Sequence, residues 1–214
     1  MTQIHLQQVA PVFLEAEKLA NSQLWKQSLS FAKGGRIQIV APSGSGKTSL
    51  IHFLYGMRKD YSGTIQFDQQ KMSDVDAEEM AVIRSSQLSI IFQDLRLFPD
   101  HSAAENISIK RLLAPYHKEP KIEEMARHLG IHSKLGQLAK TCSYGEQQRV
   151  AIIRALQQPF DFLILDEPFS HLDERNRQKA MELIEAEASD RKAAIILADL
   201  KPIEYFKADQ LYKL

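Results

Sequence analysis

An apolar run, Arg36-Ile37-Gln38-Ile39-Val40, leads into Ala41-Pro42-Ser43-Gly44-Ser45-Gly46-Lys47-Thr48 and then a helix-like segment, Ser49-Leu50-Ile51-His52-Phe53-Leu54. Glycines at this spacing, followed by lysine and threonine and set between a strand and a helix, suit a loop that wraps phosphate. Backbone N–H groups from Gly44 to Thr48 then point inward at a triphosphate, helped by the positive end of the new helix. The candidate binding set is Ala41, Pro42, Ser43, Gly44, Ser45, Gly46, Lys47, Thr48 and Ser49. Lys47 reaches the β and γ phosphates, and the Thr48 hydroxyl ligates Mg²⁺. A plain Gly/Ser turn is the alternative, but it does not call for lysine and threonine directly after the last glycine. Ala41 stands where the pattern usually opens with glycine, and its methyl is the smallest replacement available. These residues imply a nucleoside-triphosphate binder.

A second apolar run, Phe162-Leu163-Ile164-Leu165, ends in Asp166-Glu167-Pro168. A strand closing on two carboxylates beside a phosphate loop supplies Asp166 to hold Mg²⁺, directly or through water, and Glu167 to polarise an attacking water. Upstream, Thr141-Cys142-Ser143-Tyr144-Gly145-Glu146-Gln147-Gln148-Arg149 precedes the helical Val150–Leu156 stretch. Serine and glycine at a helix start form either a simple N-cap or a weaker anion site.

The elements that must carry these residues alternate. The pattern predicts strands at Val12–Ala16, Leu29–Ala32, Arg36–Val40, Ser62–Asp68, Leu88–Phe92, Phe162–Leu165 and Ala193–Leu197. Helices are expected at Asp76–Ser85 and Arg175–Glu187, with a mostly helical middle from Asp94 to Gln158. Strands alternating with helices imply a mainly parallel sheet with ligands at the carboxyl ends of its strands. At 214 residues the chain suits one large α/β domain. Its 27 basic and 27 acidic side chains cancel, unlike those of a strongly basic nucleic-acid binder. No apolar run approaches the ~20 residues of a membrane span, the amino terminus lacks the look of a secretory signal, and the single Cys142 excludes an internal disulfide. The expectation is a soluble cytoplasmic protein that is free to dock on a membrane partner.

The order of the phosphate loop, Phe92-Gln93-Asp94, Ser143-Tyr144-Gly145-Glu146-Gln147-Gln148-Arg149, Leu165-Asp166-Glu167-Pro168 and Ser170-His171-Leu172-Asp173 resembles the ATP-binding-cassette ATPases over nearly the whole chain. The resemblance implies an α/β P-loop NTPase (RecA-like) core with a mainly parallel sheet, an antiparallel β subdomain and an inserted α-helical subdomain. Residues 1–93 and 159–214 would form the core and β parts, and 94–158 the helical part. It implies a homo- or heterodimer of cassettes with two MgATP molecules at the interface, docked on an integral membrane transporter subunit at the inner face of the cell membrane. No nucleic-acid partner is expected. By the same resemblance Ser143 and Gly145, with Tyr144 and Glu146 in the same segment, touch the ATP of the opposite cassette. Gln93 senses Mg²⁺ and the attacking water, and Ser170 and Asp173 belong to the loop that links the two sites. Glu167, Lys47 and Gln93 are the catalytic set, and Thr48, Gln93 and Asp166 the metal set.

Three departures qualify this. Ala198 falls where the family usually has a histidine on the γ-phosphate. Losing one preorganised donor typically costs ~10² to 10³ in rate, so a catalytically weak cassette paired with a more active one stays open beside a self-sufficient ATPase. A soluble non-transport member of the family is the third reading. His171, in a neighbouring loop, is expected to face solvent. Tyr144 adds bulk near the interface where the family has glycine, either hindering closure or pointing into solvent, and Cys142 reads as a small apolar stand-in for leucine. Leu19 falls where an aromatic residue normally stacks on adenine, while nearby Trp25 is expected in the core. Leu95, Leu97 and Phe98, after Gln93, are either a groove for the membrane subunit or helical-subdomain core.

Overall fold

A computed structural model describes residues 1–214. In chain order it comprises β1 (Gln3–Pro11), α1 (Ala16–Ala20), β2 (Ser28–Ala32), β3 (Arg36–Val40), α2 (Lys47–Leu54), β4 (Tyr61–Phe67), β5 (Gln70–Lys71), α3 (Ala77–Ser86), β6 (Leu88–Ile91), α4 (Ala103–Leu113), α5 (Glu119–His128), α6 (Tyr144–Ala155), β7 (Phe162–Asp166), α7 (Glu174–Asp190), β8 (Ala194–Asp199) and β9 (Gln210–Lys213). Two sheets result. One is antiparallel, in the order β2-β1-β4-β5, and the other runs β6-β7-β8-β3-β9 with parallel pairing throughout.

The central strands β7 and β8 read as unbroken apolar runs because both faces of the parallel sheet are covered. Leu163, Leu165, Ile195 and Leu197 pack on one side with residues of α4, α5, α6 and α7. Phe162, Ile164, Ile196 and Ala198 pack on the other with α2 and with Ile4, Phe31 and Ile65 of the antiparallel sheet. Three of the helices, α3, α4 and α6, start where the sequence supplies caps: Asp76 with Glu79, Ser102 with Glu105 and Ser143 with Glu146 each form a reciprocal capping box. Such a cap is worth about 1 kcal/mol.

One expected strand is misplaced. Val12–Ala16 is not extended: the strand is Gln3–Pro11, with Ile4 and Leu6 buried, and α1 begins at Ala16. The cause is a bulge. The register of β1 against β4 shifts between Gln7 and Ala10, and Gln8 adopts φ 54°. The bulge breaks the alternation that marks a strand. Gly63 faces it, and a Cβ there would lie 2.4 Å from the Gln8 carbonyl oxygen. The edge strand β9 escaped prediction because all four of its residues stay partly or fully exposed.

Of the apolar residues after Gln93, Leu95 is buried, Leu97 packs on the core and Phe98 is half exposed. Leu95 and Arg96 both have positive φ, 56° and 48°. Arg154 of α6 holds this turn by donating to the Leu95 carbonyl and, at 2.7 Å, to that of Arg96.

Candidate nucleotide site

Strand β3 delivers the chain into the phosphate loop. Ala41 at its start is fully buried, and its N–H bonds the Asp199 carbonyl at 3.0 Å, so the opening position accommodates a methyl group. Helix α2 has no side-chain cap; its N-cap is Gly46, left-handed at φ 93°. Leu50 is the first residue of the helix to bond back, to the Gly46 carbonyl at 2.9 Å. The N–H groups of Lys47, Thr48 and Ser49 therefore have no partner within the helix and lie at the positive end of its dipole. Gly46 is constrained twice, by its φ and by Trp25, whose Cζ2 would meet a Cβ at 3.1 Å. Trp25 is buried in the core as expected, and its indole N–H also donates to the Ser45 carbonyl at 3.3 Å, bracing the loop. The Ser45 hydroxyl donates to the Pro42 carbonyl at 2.7 Å.

Pro42, Ser43, Gly44, Gly46, Lys47, Thr48 and Ser49 line a cleft of about 270 Å³ together with Gln93 and Glu167. Glu167 follows the last residue of β7 and takes a left-handed φ of 45°, uncommon for a side chain of this size. That strain is held by the Glu167 N–H bonding the Ala198 carbonyl at 2.9 Å and by Gln148, whose amide donates to the Glu167 carbonyl at 3.4 Å. Its carboxylate meets the Lys47 ammonium in an ion pair with both side chains largely buried.

Asp166 is 1% exposed, and its Oδ1 has no hydrogen-bond partner. Burial pushes its carboxyl up to about 6, against the opposing pull of the Thr48 hydroxyl and the Lys47 ammonium. A buried carboxylate oxygen left unpaired is costly, and a cation is its natural partner. Thr48, Gln93 and Asp166 line one cleft of about 340 Å³ next to the phosphate loop. This oxygen-rich set fits Mg²⁺, which binds through few protein oxygens and keeps several waters.

The phosphate cleft has a wall that sequence reasoning missed. Phe13 and Leu14 line it, whereas Leu19 lies on α1, half-buried and packed against the core. Phe13 is 51% exposed, and the Arg58 guanidinium stands 4.9 Å from its ring centroid. Phe13, and not Leu19, is the residue of this segment that brings an aromatic ring to the cleft. Helix α1 and the turns before β2 lie between Phe13 and Leu29–Phe31, so a fixed count back along the chain does not locate the residue that reaches the cleft.

The signature segment opens α6. Ser143 is the N-cap, accepting from the Glu146 N–H at 3.3 Å, while Glu146 accepts from the Ser143 N–H at 2.7 Å. Ser143 remains exposed, Cys142 is buried as an apolar filler, and neither Ser143, Gly145 nor Glu146 lines the chain's own phosphate cleft. Tyr144 lines the neighbouring cleft with Thr48, Gln93 and Asp166. His171 is exposed as expected, and its ring packs on Tyr144 at 4.1 Å between centroids. Asp173 caps α7, accepting from the Asn176 N–H at 2.8 Å, and Ser170 lies within 3.4 Å of the Gln148 amide.

A parallel sheet with a glycine loop at one helix N-terminus and paired carboxylates at the end of β7, one strand removed from β3, defines a P-loop nucleotide-binding domain. Residues 24–170 match the ABC transporter family, and the chain belongs to it as an ATP-binding cassette. It is 37% identical over 162 residues to the lipoprotein-releasing system ATP-binding protein LolD of Buchnera aphidicola subsp. Schizaphis graminum, covering 74% of this chain and 71% of that one. It is 30% identical over 209 residues to the glucose import ATP-binding protein GlcV of Saccharolobus solfataricus, covering 96% of this chain and 58% of that one. Its fold matches the dimeric structure of MJ0796, a bacterial ABC transporter cassette, with a TM-score of 0.79 at 23% identity, over 92% of this chain and 88% of that one. A bacterial Atm1-family ABC exporter with ATP bound matches all of this chain and 37% of its own, with a TM-score of 0.80 at 25% identity. No helix of the chain is long and apolar enough to cross a membrane.

Proposed function

We propose that this cassette binds ATP and hydrolyses it to drive a membrane transporter, attached to the cytoplasmic face of that transporter and working as one of a pair of cassettes. The observation that carries the reading is the convergence of Lys47, Thr48, Gln93 and Glu167 on one cleft, with an unpartnered Asp166 oxygen beside it. The relatives named above are transport ATP-binding proteins, and MJ0796 is a dimer.

In this reading the N–H groups of Lys47 to Ser49 hold the phosphates, and the Lys47 ammonium leaves Glu167 to neutralise β- and γ-phosphate charge. Glu167, freed of its ion pair, orients the attacking water and draws its proton, while Gln93 fixes that water from the other wall. Phe13 stacks on the base. Thr48, Asp166 and Gln93 would hold Mg²⁺, which would supply charge neutralisation for the phosphates. Ser143 and Gly145 reach the ATP of the second cassette, and Ser170 and Asp173 face it at the link between the two sites. Residues 94–158 act as a helical arm whose Arg154 grips the turn after Gln93.

Ala198 is buried in β8 and offers no polar group to the γ-phosphate. Turnover is accordingly slow, and the same observation favours a second reading in which this chain pairs with a more active cassette. Size measurement of Glu167→Gln with and without ATP tests the pairing: the variant forms ATP-dependent dimers, and a monomer at saturating ATP argues for a different second cassette. Copurification with an integral membrane subunit separates the transport role from a soluble one.

A further inference from the structure

The departure at Tyr144 has a location that its place in the signature segment does not suggest. Tyr144 lines the cleft of about 340 Å³ at the metal end of its own chain's site, with Thr48, Gln93 and Asp166. His52 and Asp94 belong to the same wall.

This placement is fixed from several sides. Tyr144 is the first residue of α6, and its ring packs on His171. Gly145 backs onto the His171 carbonyl so closely that a Cβ would come within 3.0 Å. One turn further, the Gln148 side chain accepts from the His171 N–H at 3.0 Å and donates to the Glu167 carbonyl at 3.4 Å. The amino end of α6 is therefore pinned to the segment that carries Asp166 and Glu167, and its carboxyl end, through Arg154, to the turn after Gln93.

We propose that the Tyr144 hydroxyl is an outer-sphere contact for Mg²⁺ bound in the same chain, holding waters of the metal's shell. Mg²⁺ dehydrates reluctantly and keeps several waters. At ~30 Å³ per water the cleft has room for such a shell. Groups outside the inner shell typically change metal affinity 10- to 100-fold. A glycine at this position has nothing to offer those waters. The consequence is a link between the state of one chain's own metal site and the segment it presents to the opposite cassette. Tyr144 is a positioning residue in this role, and the inference rests on the assignment of Thr48 and Asp166 as metal ligands.

The test is titration of Mg²⁺ against binding of a fluorescent ADP analogue, which needs neither turnover nor a second cassette. Tyr144→Phe removes the hydroxyl and keeps the ring. The expected result is unchanged ADP affinity without metal and about a tenfold higher Mg²⁺ requirement, with Tyr144→Gly at least as impaired. Wild-type Mg²⁺ dependence in Tyr144→Phe overturns the inference and leaves the metal ligands standing. Unaltered Mg²⁺ dependence in Asp166→Asn overturns the metal assignment and this inference together.

Discussion

The Lys47 ammonium is paired with the Glu167 carboxylate, so the charge that serves phosphate is held by the residue that serves water. Nucleotide must take Lys47 away from that partner. Glu167→Gln removes the competing charge, and its ATP affinity is expected to rise about tenfold, equivalent to ~1.4 kcal/mol, as its turnover disappears. Equilibrium titration with ATP checks this, and an affinity equal to wild type contradicts the competition.

Phe13 stands at the mouth of the phosphate cleft with half its surface open. Stacking on an aromatic ring contributes ~1–3 kcal/mol per base. Phe13→Ala is therefore expected to weaken ATP about tenfold while leaving inorganic tripolyphosphate unaffected. Equal losses for both ligands would mean that the ring shapes the loop and does not hold the base.

Ala198 pairs in register with Ile39 on one side and Asp166 on the other, at zero exposure. Ala198→His supplies a donor where none exists, and turnover is expected to rise on the order of 10²-fold. The larger side chain overpacks its surroundings, at a cost of about 1–3 kcal/mol, visible as a lower unfolding midpoint. A fall in stability with no gain in rate would show that the missing histidine is not what limits hydrolysis.

Lys110 is half-buried on α4, and burial, reinforced by repulsion from Arg154 and Arg84, lowers its ammonium to about 8 from 10.5. Between those values the unfolded chain binds the proton more fully than the folded one, so stability from this group rises with pH. Its contribution is present above the ordinary lysine value and is lost as pH falls through about 8. Lys110→Met should therefore be more stable than wild type at pH 7 and lose most of that advantage by pH 10 in urea unfolding. An equal advantage at both values would assign the effect to packing alone.

The parts of the site that sequence revealed are those written locally. Ala41 to Ser49 fold as one turn at a helix start, and Asp166 and Glu167 end a strand whose five residues are all buried. Their types and spacing carry the chemistry without reference to the rest of the chain. Phe13 was hidden because its place depends on the turn between β1 and α1 and on how the two sheets meet, neither of which leaves a periodic trace. The bulge at Gln8 concealed β1. Tyr144 read as bulk at an interface because its neighbours Thr48 and Asp166 lie far away in sequence and meet it only through the packing of α6 against the end of β7. Trp25 was placed correctly in the core, yet its bond to the Ser45 carbonyl follows only from the folded chain.

The most direct test of the central claim is ATP binding and steady-state MgATP turnover by the purified chain beside Lys47→Ala and Glu167→Gln. Tight ATP binding that Lys47→Ala abolishes, with slow turnover that both substitutions eliminate, is the predicted result. Binding indifferent to Lys47→Ala, or turnover that survives Glu167→Gln, would contradict the assignment of this cleft as the site of hydrolysis.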